Sequence, residues 1–271
     1  MRSQATYHLD LDEAAVQGVR VALLPGDPFR SRTIAERIAT AHGGPRPHRP
    51  LAHNREYCSY LAEIRGAKVL VTSTGIGGPS TSIAVDELAQ LGVHTFIRVG
   101  TTGAIQNTVA IGDVVITTGS VRLDGASLAY APIQYPAVAH HEVTLALIAA
   151  ARTLAPGLGC RHHVGITAST DTFYQGQERG DAFARYLPRH LRGMTEEWQR
   201  LGVLNYEMES ATLLTICSVF GLRAGCVTGV INARRAGETA VPISAEGLRR
   251  GEEHAVQVGI KAAEILIAQP S

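Results

Sequence analysis

Asn205-Tyr206-Glu207-Met208-Glu209-Ser210-Ala211-Thr212 is the stretch from which this chain is best read. A short polar strand, Leu204 to Glu207, turns there into an apolar helix, Ala211 to Phe220. The backbone changes direction at such a junction, so two Glu side chains separated by one Met need not obey either regular period. One carboxylate can point back into the protein while the other projects into a cleft. There it can accept two charge-assisted hydrogen bonds from a vicinal diol, such as the 2′- and 3′-hydroxyls of a ribose. Acids are also favoured at a helix N-terminus by the macrodipole alone. What surrounds the stretch decides between these readings.

Strand and helix signals alternate on both sides of it. Downstream, Leu222 to Ile231 reads as a buried strand, Asn232 to Pro242 as a loop rich in Arg and Gly, and Ala245 to Ala268 as a closing amphipathic helix. Upstream, Val19 to Leu24, Val93 to Val99, Gly112 to Val121 and His163 to Thr170 read as strands. Ser31 to Ile38, Ser80 to Leu91, Glu142 to Leu154 and Thr195 to Leu201 read as helices. Tyr57 to Ile64 and Lys68 to Ser73 flank an Arg65-Gly66 turn and predict a hairpin. His42 to Pro50, with three prolines and two glycines, reads as a loop, and Leu123 to Val138 as irregular. With no repeat and no linker composition, the expectation is one α/β domain over residues 1–271, three layers α/β/α around a mixed sheet.

Composition narrows the function classes. Of 271 residues, 45% are hydrophobic and 18% charged, which supports a large core and argues against disorder. A formal net charge of +1 speaks against nucleic-acid binding through many phosphate contacts, so any anion site must be local. Cys58, Cys160, Cys217 and Cys226 form no C-x-x-C pair and read as free thiols in a reducing compartment. Met1 to Ala15 carries Asp10, Asp12 and Glu13 and lacks the apolar core of a signal peptide. Leu213 to Ile231, broken by Arg223, reads as a core helix and strand, not a membrane span. A cytoplasmic location is the expectation.

Four polar clusters each follow a predicted strand, the end of an α/β sheet where ligands bind. In Pro25-Gly26-Asp27-Pro28-Phe29-Arg30, Gly26 would let the backbone approach an anion and Arg30 would clamp it, although a plain strand-to-helix turn fits equally. Arg98 in Arg98-Val99-Gly100-Thr101-Thr102-Gly103 is costly to bury without a partner, either a phosphate or an acid. Thr74-Gly75-Ile76-Gly77-Gly78-Pro79-Ser80 superficially suggests a dinucleotide site, but its glycines are wrongly spaced and the next strand lacks a ribose-binding acid. In Asp171 to Arg179, Gln177 and Arg179 match the C=O/N–H/C=O edge of a uracil and Phe173 could pack on a flat ring, although taken in isolation a solvated loop is the better reading. His140-His141 and His162-His163 show no metal-ligand spacing.

Taken together, Pro25 to Pro28, Ser73 to Ala84, Arg98 to Gln106, Val121 to Leu128, Asp171 to Arg179 and Asn205 to Leu214 resemble the nucleoside phosphorylase family in its uridine-cleaving branch, over essentially the whole chain. The resemblance implies transfer of ribose from uridine to phosphate, with 2′-deoxyuridine or thymidine as further substrates. It implies phosphate binding by Gly26, Arg30, Arg98 and Thr101, with Arg55 from a neighbouring subunit. Thr101, Met208, Glu209 and a neighbour's His8 would hold the ribose. Phe173, Gln177, Arg179, Glu207, Ile231 and Arg234 would form the base pocket, and catalysis would rest on Arg30, Arg98, Gln177 and Arg179. It further implies a hexamer built as a trimer of dimers, no cofactor beyond phosphate as co-substrate, and a structural potassium ion at Glu56, Ile76 and Ser80. Gln175 replaces a frequent Pro, and Ile231 to Gly237 departs from the usual run. The alternatives are a purine nucleoside phosphorylase, an NADP-dependent reductase and a non-catalytic nucleoside-binding protein. The first would carry an Asp after the late strand, where this chain has Asn232 and Arg234.

Overall fold

The computed structural model describes residues 5–44, 49–234, 238 and 242–269. The elements run α1 (Glu13–Val16), β1 (Val19–Leu24), α2 (Pro28–His42), β2 (Ala52–Asn54), β3 (Tyr57–Ile64), β4 (Ala67–Thr72), α3 (Gly78–Gln90), β5 (Thr95–Ala104) and β6 (Val114–Leu123). They continue with β7 (Ala137–Val138), α4 (His141–Leu158), β8 (His162–Thr170), α5 (Met194–Arg200), β9 (Asn205–Glu207), α6 (Ser210–Val219), β10 (Arg223–Ala233) and α7 (Ala245–Ala268). The ten strands of the described residues join one mixed sheet, in the path β10-β6-β8-β9-β5-β1-β4-β3-β2, with β7 beside β6. An additional β10–β5 pairing closes β5, β10, β6, β8 and β9 into a ring, and β1, β4, β3 and β2 extend from it as an open wing.

Strand alternation distributes the core to both faces. Val21, Leu23, Ile97 and Val99 pack with Ile34 and Ile38 of α2, Val143 and Leu147 of α4, and Val258 and Leu266 of α7. Ala22, Leu24 and Phe96 point the other way, against Val85 and Leu88 of α3 and Leu213 and Ile216 of α6. These are the three expected layers. The helix limits follow local chemistry. The Asp27 carboxylate caps α2 through the Phe29 amide at 2.9 Å, with Pro28 as its first residue. Gly43 at φ 73° ends it. Ser244 caps α7 through the Gly247 amide at 3.0 Å. Glycine also sets the α7–β10 spacing: a Cβ on Gly229 would collide with the Gly251 carbonyl. Among the described residues, no helix is long and apolar enough to cross a membrane.

The main departure from expectation is at β5. The sequence predicts a strand ending at Val99 and a turn at Gly100 to Gly103, but β5 continues to Ala104. Its pairing with β10 runs through that segment to Ala104 and overrides the weak strand preference of glycine. The helix expected at Ser31 to Ile38 extends to Pro28–His42, so the predicted loop at His42 to Pro50 begins one residue later, and residues 45–48 lie outside the described set. Asn232 and Ala233, expected in a loop, belong to β10, and residues 235–237 and 239–241 lie outside the described set.

Candidate active site

The cleft opens at a notch in the sheet. β1 pairs with β5 as far as Leu24 opposite Arg98. β9 takes the same edge only from Gly103 opposite Tyr206. Between these pairings the β5 edge borders a cavity of about 630 Å³, within the usual range for small-molecule sites. The cavity brings together Gly26, Arg30, Arg98, Thr101, Phe173, Gln177, Arg179, Glu207, Met208, Glu209, Ile231 and Arg234, contributed by five separate segments. Its wall also includes Glu56 and Ile76, but not His8, Arg55 or Ser80.

At one end Arg98, 5% exposed, is held by both acids of the decisive stretch. Its Nε donates to Glu207 Oε2 at 2.9 Å and its Nη2 pairs with Glu209. Burial pulls the Arg98 pKa down, but the charges of Glu209 and Glu207 outweigh it and hold the guanidinium firmly protonated. Its buried Nη1 has no hydrogen-bond partner among the described residues. A Cβ on Gly100 would stand 2.8 Å from Arg98 Nη2, which explains why glycine follows two residues later.

The two acids differ in environment. Glu207 receives the amides of Glu209 at 2.9 Å and Ser210 at 2.9 Å, and the Ser210 hydroxyl at 2.5 Å. All its acceptor positions face protein. Sequence reasoning expects it at the base, but its oxygens face Arg98 and the start of α6. Glu209 receives the Gly77 amide at 2.7 Å. The glycine-rich turn thus presents its amide to a carboxylate of this chain. Burial raises the Glu209 pKa and Glu207 reinforces the rise, against the pull of Arg98. Arg30 reaches the same end from the first turn of α2, and its Nε donates to Glu252 of α7 at 2.9 Å. This end therefore holds two guanidiniums against three carboxylates.

The opposite end is built by the loop after β8. Gln177 and Arg179 are buried, and the Arg179 guanidinium lies 4.4 Å over the Phe173 ring. Arg234, at the end of β10, stacks 5.1 Å over Tyr206 and donates through Nη1 to the Gln177 carbonyl. Burial lowers the Arg234 pKa, with Tyr206 opposing it and Arg179 adding to the fall. Glu178, at φ 50°, receives the amides of Gly193 at 2.5 Å and Thr195 at 2.8 Å, tying the loop to the start of α5. Arg179 is itself gripped by Asp181, from Nε at 3.1 Å and Nη2 at 2.9 Å.

His8 and Arg55 cluster away from their own cavity. The Asn54 amide donates to the His8 carbonyl at 3.0 Å, and Arg55 is exposed at φ 54° in the β2–β3 turn. The His8 ring nitrogen Nδ1 is 2.7 Å from Glu87. Ser80 donates to Glu56 Oε1 at 3.0 Å, so two oxygen ligands of the expected cation set converge, while the Ile76 side chain is exposed. Sequence reasoning missed Glu252, Asp181 and Asp124. Asp124 receives Thr212 Oγ1 at 2.6 Å and the Ser127 amide at 2.8 Å, bracing α6 beneath Glu209.

A family model described as "Phosphorylase superfamily" matches residues 20–267. Uridine phosphorylase of Escherichia coli (strain K12) is 52% identical over 267 residues, spanning 98% of this chain and 100% of that protein. Uridine phosphorylase of Thermococcus kodakarensis is 45% identical over 260 residues, spanning 96% and 86% respectively. Guanosine phosphorylase of Halorubrum lacusprofundi is 34% identical over 223 residues, spanning 82% and 81%.

Proposed function

The chain belongs to the phosphorylase superfamily, and from that footing we infer that it transfers the ribose of uridine to phosphate, reversibly, giving uracil and α-D-ribose 1-phosphate. The observation that carries this reading is the polarity of the cleft. A buried, unpartnered guanidinium nitrogen lies beside Glu209 at one end, and Gln177 and Arg179 lie beside Phe173 at the other. Phosphate is the co-substrate.

Arg98 Nη1, Arg30, the Gly26 amide and Thr101 would hold phosphate. Two guanidiniums facing three carboxylates leave this end short of the positive charge that a dianion requires, so at least one further cation is needed. Arg55 of a second copy would supply it, with His8 of that copy reaching the sugar, within a trimer of dimers. Glu209 would turn from Arg98 to the ribose hydroxyls as phosphate takes its place, with Met208 against the sugar. Glu207, rather than touching the base, would hold Arg98 and the start of α6. Ile231 and Arg234 would complete the base pocket, Arg234 through the Gln177 carbonyl. Glu56, Ser80 and the Ile76 backbone offer hard oxygen ligands suited to a potassium ion between copies. The cytosol is the proposed compartment.

The chemistry follows from charge. As the C1′–N1 bond lengthens, its electron pair leaves with the base and positive charge develops on the sugar. A phosphate oxygen closes on C1′ from the opposite face. The phosphate dianion stabilises the cationic sugar, and Gln177 and Arg179 stabilise the departing anion through its carbonyl oxygens. Fixing phosphate below C1′ removes an entropic barrier that can reach about 7–11 kcal/mol. Asn232 at the late strand, in place of an acid able to bond a purine N7, favours the pyrimidine reading over the purine one. Ultraviolet-monitored cleavage of uridine, thymidine and inosine, each with and without phosphate, tests it. Phosphate-dependent uracil release is expected. Cleavage of inosine alone would transfer the chain to the purine-cleaving reading.

A further inference from the structure

We propose that Asp181 is a positioning residue for base departure: it fixes Arg179 so that the remaining N–H edge of the guanidinium faces the pyrimidine. The inference rests on the reading above that Arg179 meets the base. Asp181 binds side-on, Oδ1 receiving Nε and Oδ2 receiving Nη2, a fork that sets both the plane and the rotation of the guanidinium. Stacking on Phe173 fixes the same plane from another direction. Nη1 is left clear of Asp181 by this geometry.

The placement of Asp181 separates its role from that of the residues around the substrate. Arg179 lines the cavity, whereas Asp181 does not, and its side chain is 43% exposed. It therefore acts on the base only through Arg179. The adjacent acid Glu178 cannot substitute, because its two oxygens are taken by the Gly193 and Thr195 amides. A carboxylate is also required electrostatically. Arg179 and Arg234 are like charges on one small pocket wall, and each acts on the Asp181 carboxyl. Without that carboxylate the repulsion favours an Arg179 rotamer turned toward solvent. Displacing a transition-state donor by about 1 Å can cost about a hundredfold in rate. The loss of orientation thus outweighs any gain from leaving Arg179 with its full charge.

This role predicts dependence on the leaving group. In 5-fluorouridine the electron-withdrawing fluorine stabilises the departing anion, so less is asked of Arg179. In D181N, kcat for uridine should fall about tenfold and kcat for 5-fluorouridine by less than about threefold, with the phosphate KM held within about twofold. D181E, which keeps the charge, should recover part of the uridine rate, and R179A should show the same selectivity more strongly. Equal losses on both substrates in D181N, or an undiminished uridine rate, overturn the role of Asp181 if R179A still discriminates. Failure of R179A to discriminate removes the base contact itself, and the inference with it. An unfolded D181N at the assay temperature, by its melting curve, would shift the same comparison to D181E. There, a uridine-selective loss supports the role and equal losses overturn it.

Discussion

Replacing Glu207 by Gln isolates the buried hub of the site. Four donor groups converge on its carboxylate: Arg98 Nε, the amides of Glu209 and Ser210, and the Ser210 hydroxyl, at 2.5–3.0 Å. A glutamine amide offers one oxygen with two lone pairs, and its NH₂ group turns a donor toward donors. At most two of the four bonds survive. Losing two bonds to a charged acceptor, at about 1.5–3 kcal/mol each, predicts a destabilisation of about 3–6 kcal/mol. At about 2–4 °C per kcal/mol for a chain of this size, the melting temperature should fall by about 6–24 °C. Thermal scans of both proteins at equal concentration, with urea titration to compare midpoints, measure this. A fall of less than about 3 °C would show that Glu207 is not the hub, and the assignment of Arg98 as its dependent would go with it.

Three further outcomes are expected. In Gly78→Ala the new Cβ would lie 2.9 Å from Ala126 Cβ and against the Thr212 hydroxyl. It should cost about 1–3 kcal/mol in a urea titration, and an unchanged midpoint contradicts the packing described. R55A and R179A oligomers, each strongly impaired on uridine, should recover about a quarter of wild-type activity when refolded together, because random pairing restores one intact site in each mixed dimer. No recovery would place Arg55 outside the neighbour's site. Burial raises the Asp113 carboxyl, but the Ala110 and Arg161 amides and His163 outweigh it, so its folded pKa lies below the ordinary 3.8. Its stabilising contribution is therefore complete above that value and lost as pH falls through the lower folded one. D113N should be less stable at neutral pH and lose less of that stability on acidification, and parallel acid curves for the two proteins would refute this.

Elements whose own residues dictate them were legible. β1 at Val19–Leu24 and α7 at Ala245–Ala268 coincide with their sequence limits, because an apolar run before a proline and a capped amphipathic helix are locally determined. β2 and the second half of β5 were not legible, because partner strands impose them: three residues held against β3, and a Gly-Thr-Thr-Gly segment held by β10. The cost of burying Arg98 was readable, and both expected kinds of answer bear on it. Its acids lie in the decisive stretch itself, yet one nitrogen remains unpartnered. Asp181 and Glu252 carry no local signal. An exposed Asp after glycine and an acid in a charged helix gain meaning only from the arginine each meets.

The ring within the sheet also constrains how the chain can be made. β10 comes from residues 223–233, late in the chain, yet it is the strand that pairs directly with both β5 and β6 and closes the ring. While the chain emerges from the ribosome, β5 and β6 are synthesised long before the strand that links them. The β5 edge that will carry Arg98 meanwhile lacks its longest partner. Pairings of such sequence separation form slowly and leave strand edges open in the interval. The ring therefore cannot close while the chain is still being made up to β10. A chain stopped before Arg223 would lack the closure of the ring as well as its last helix, so closure must wait for the last strand.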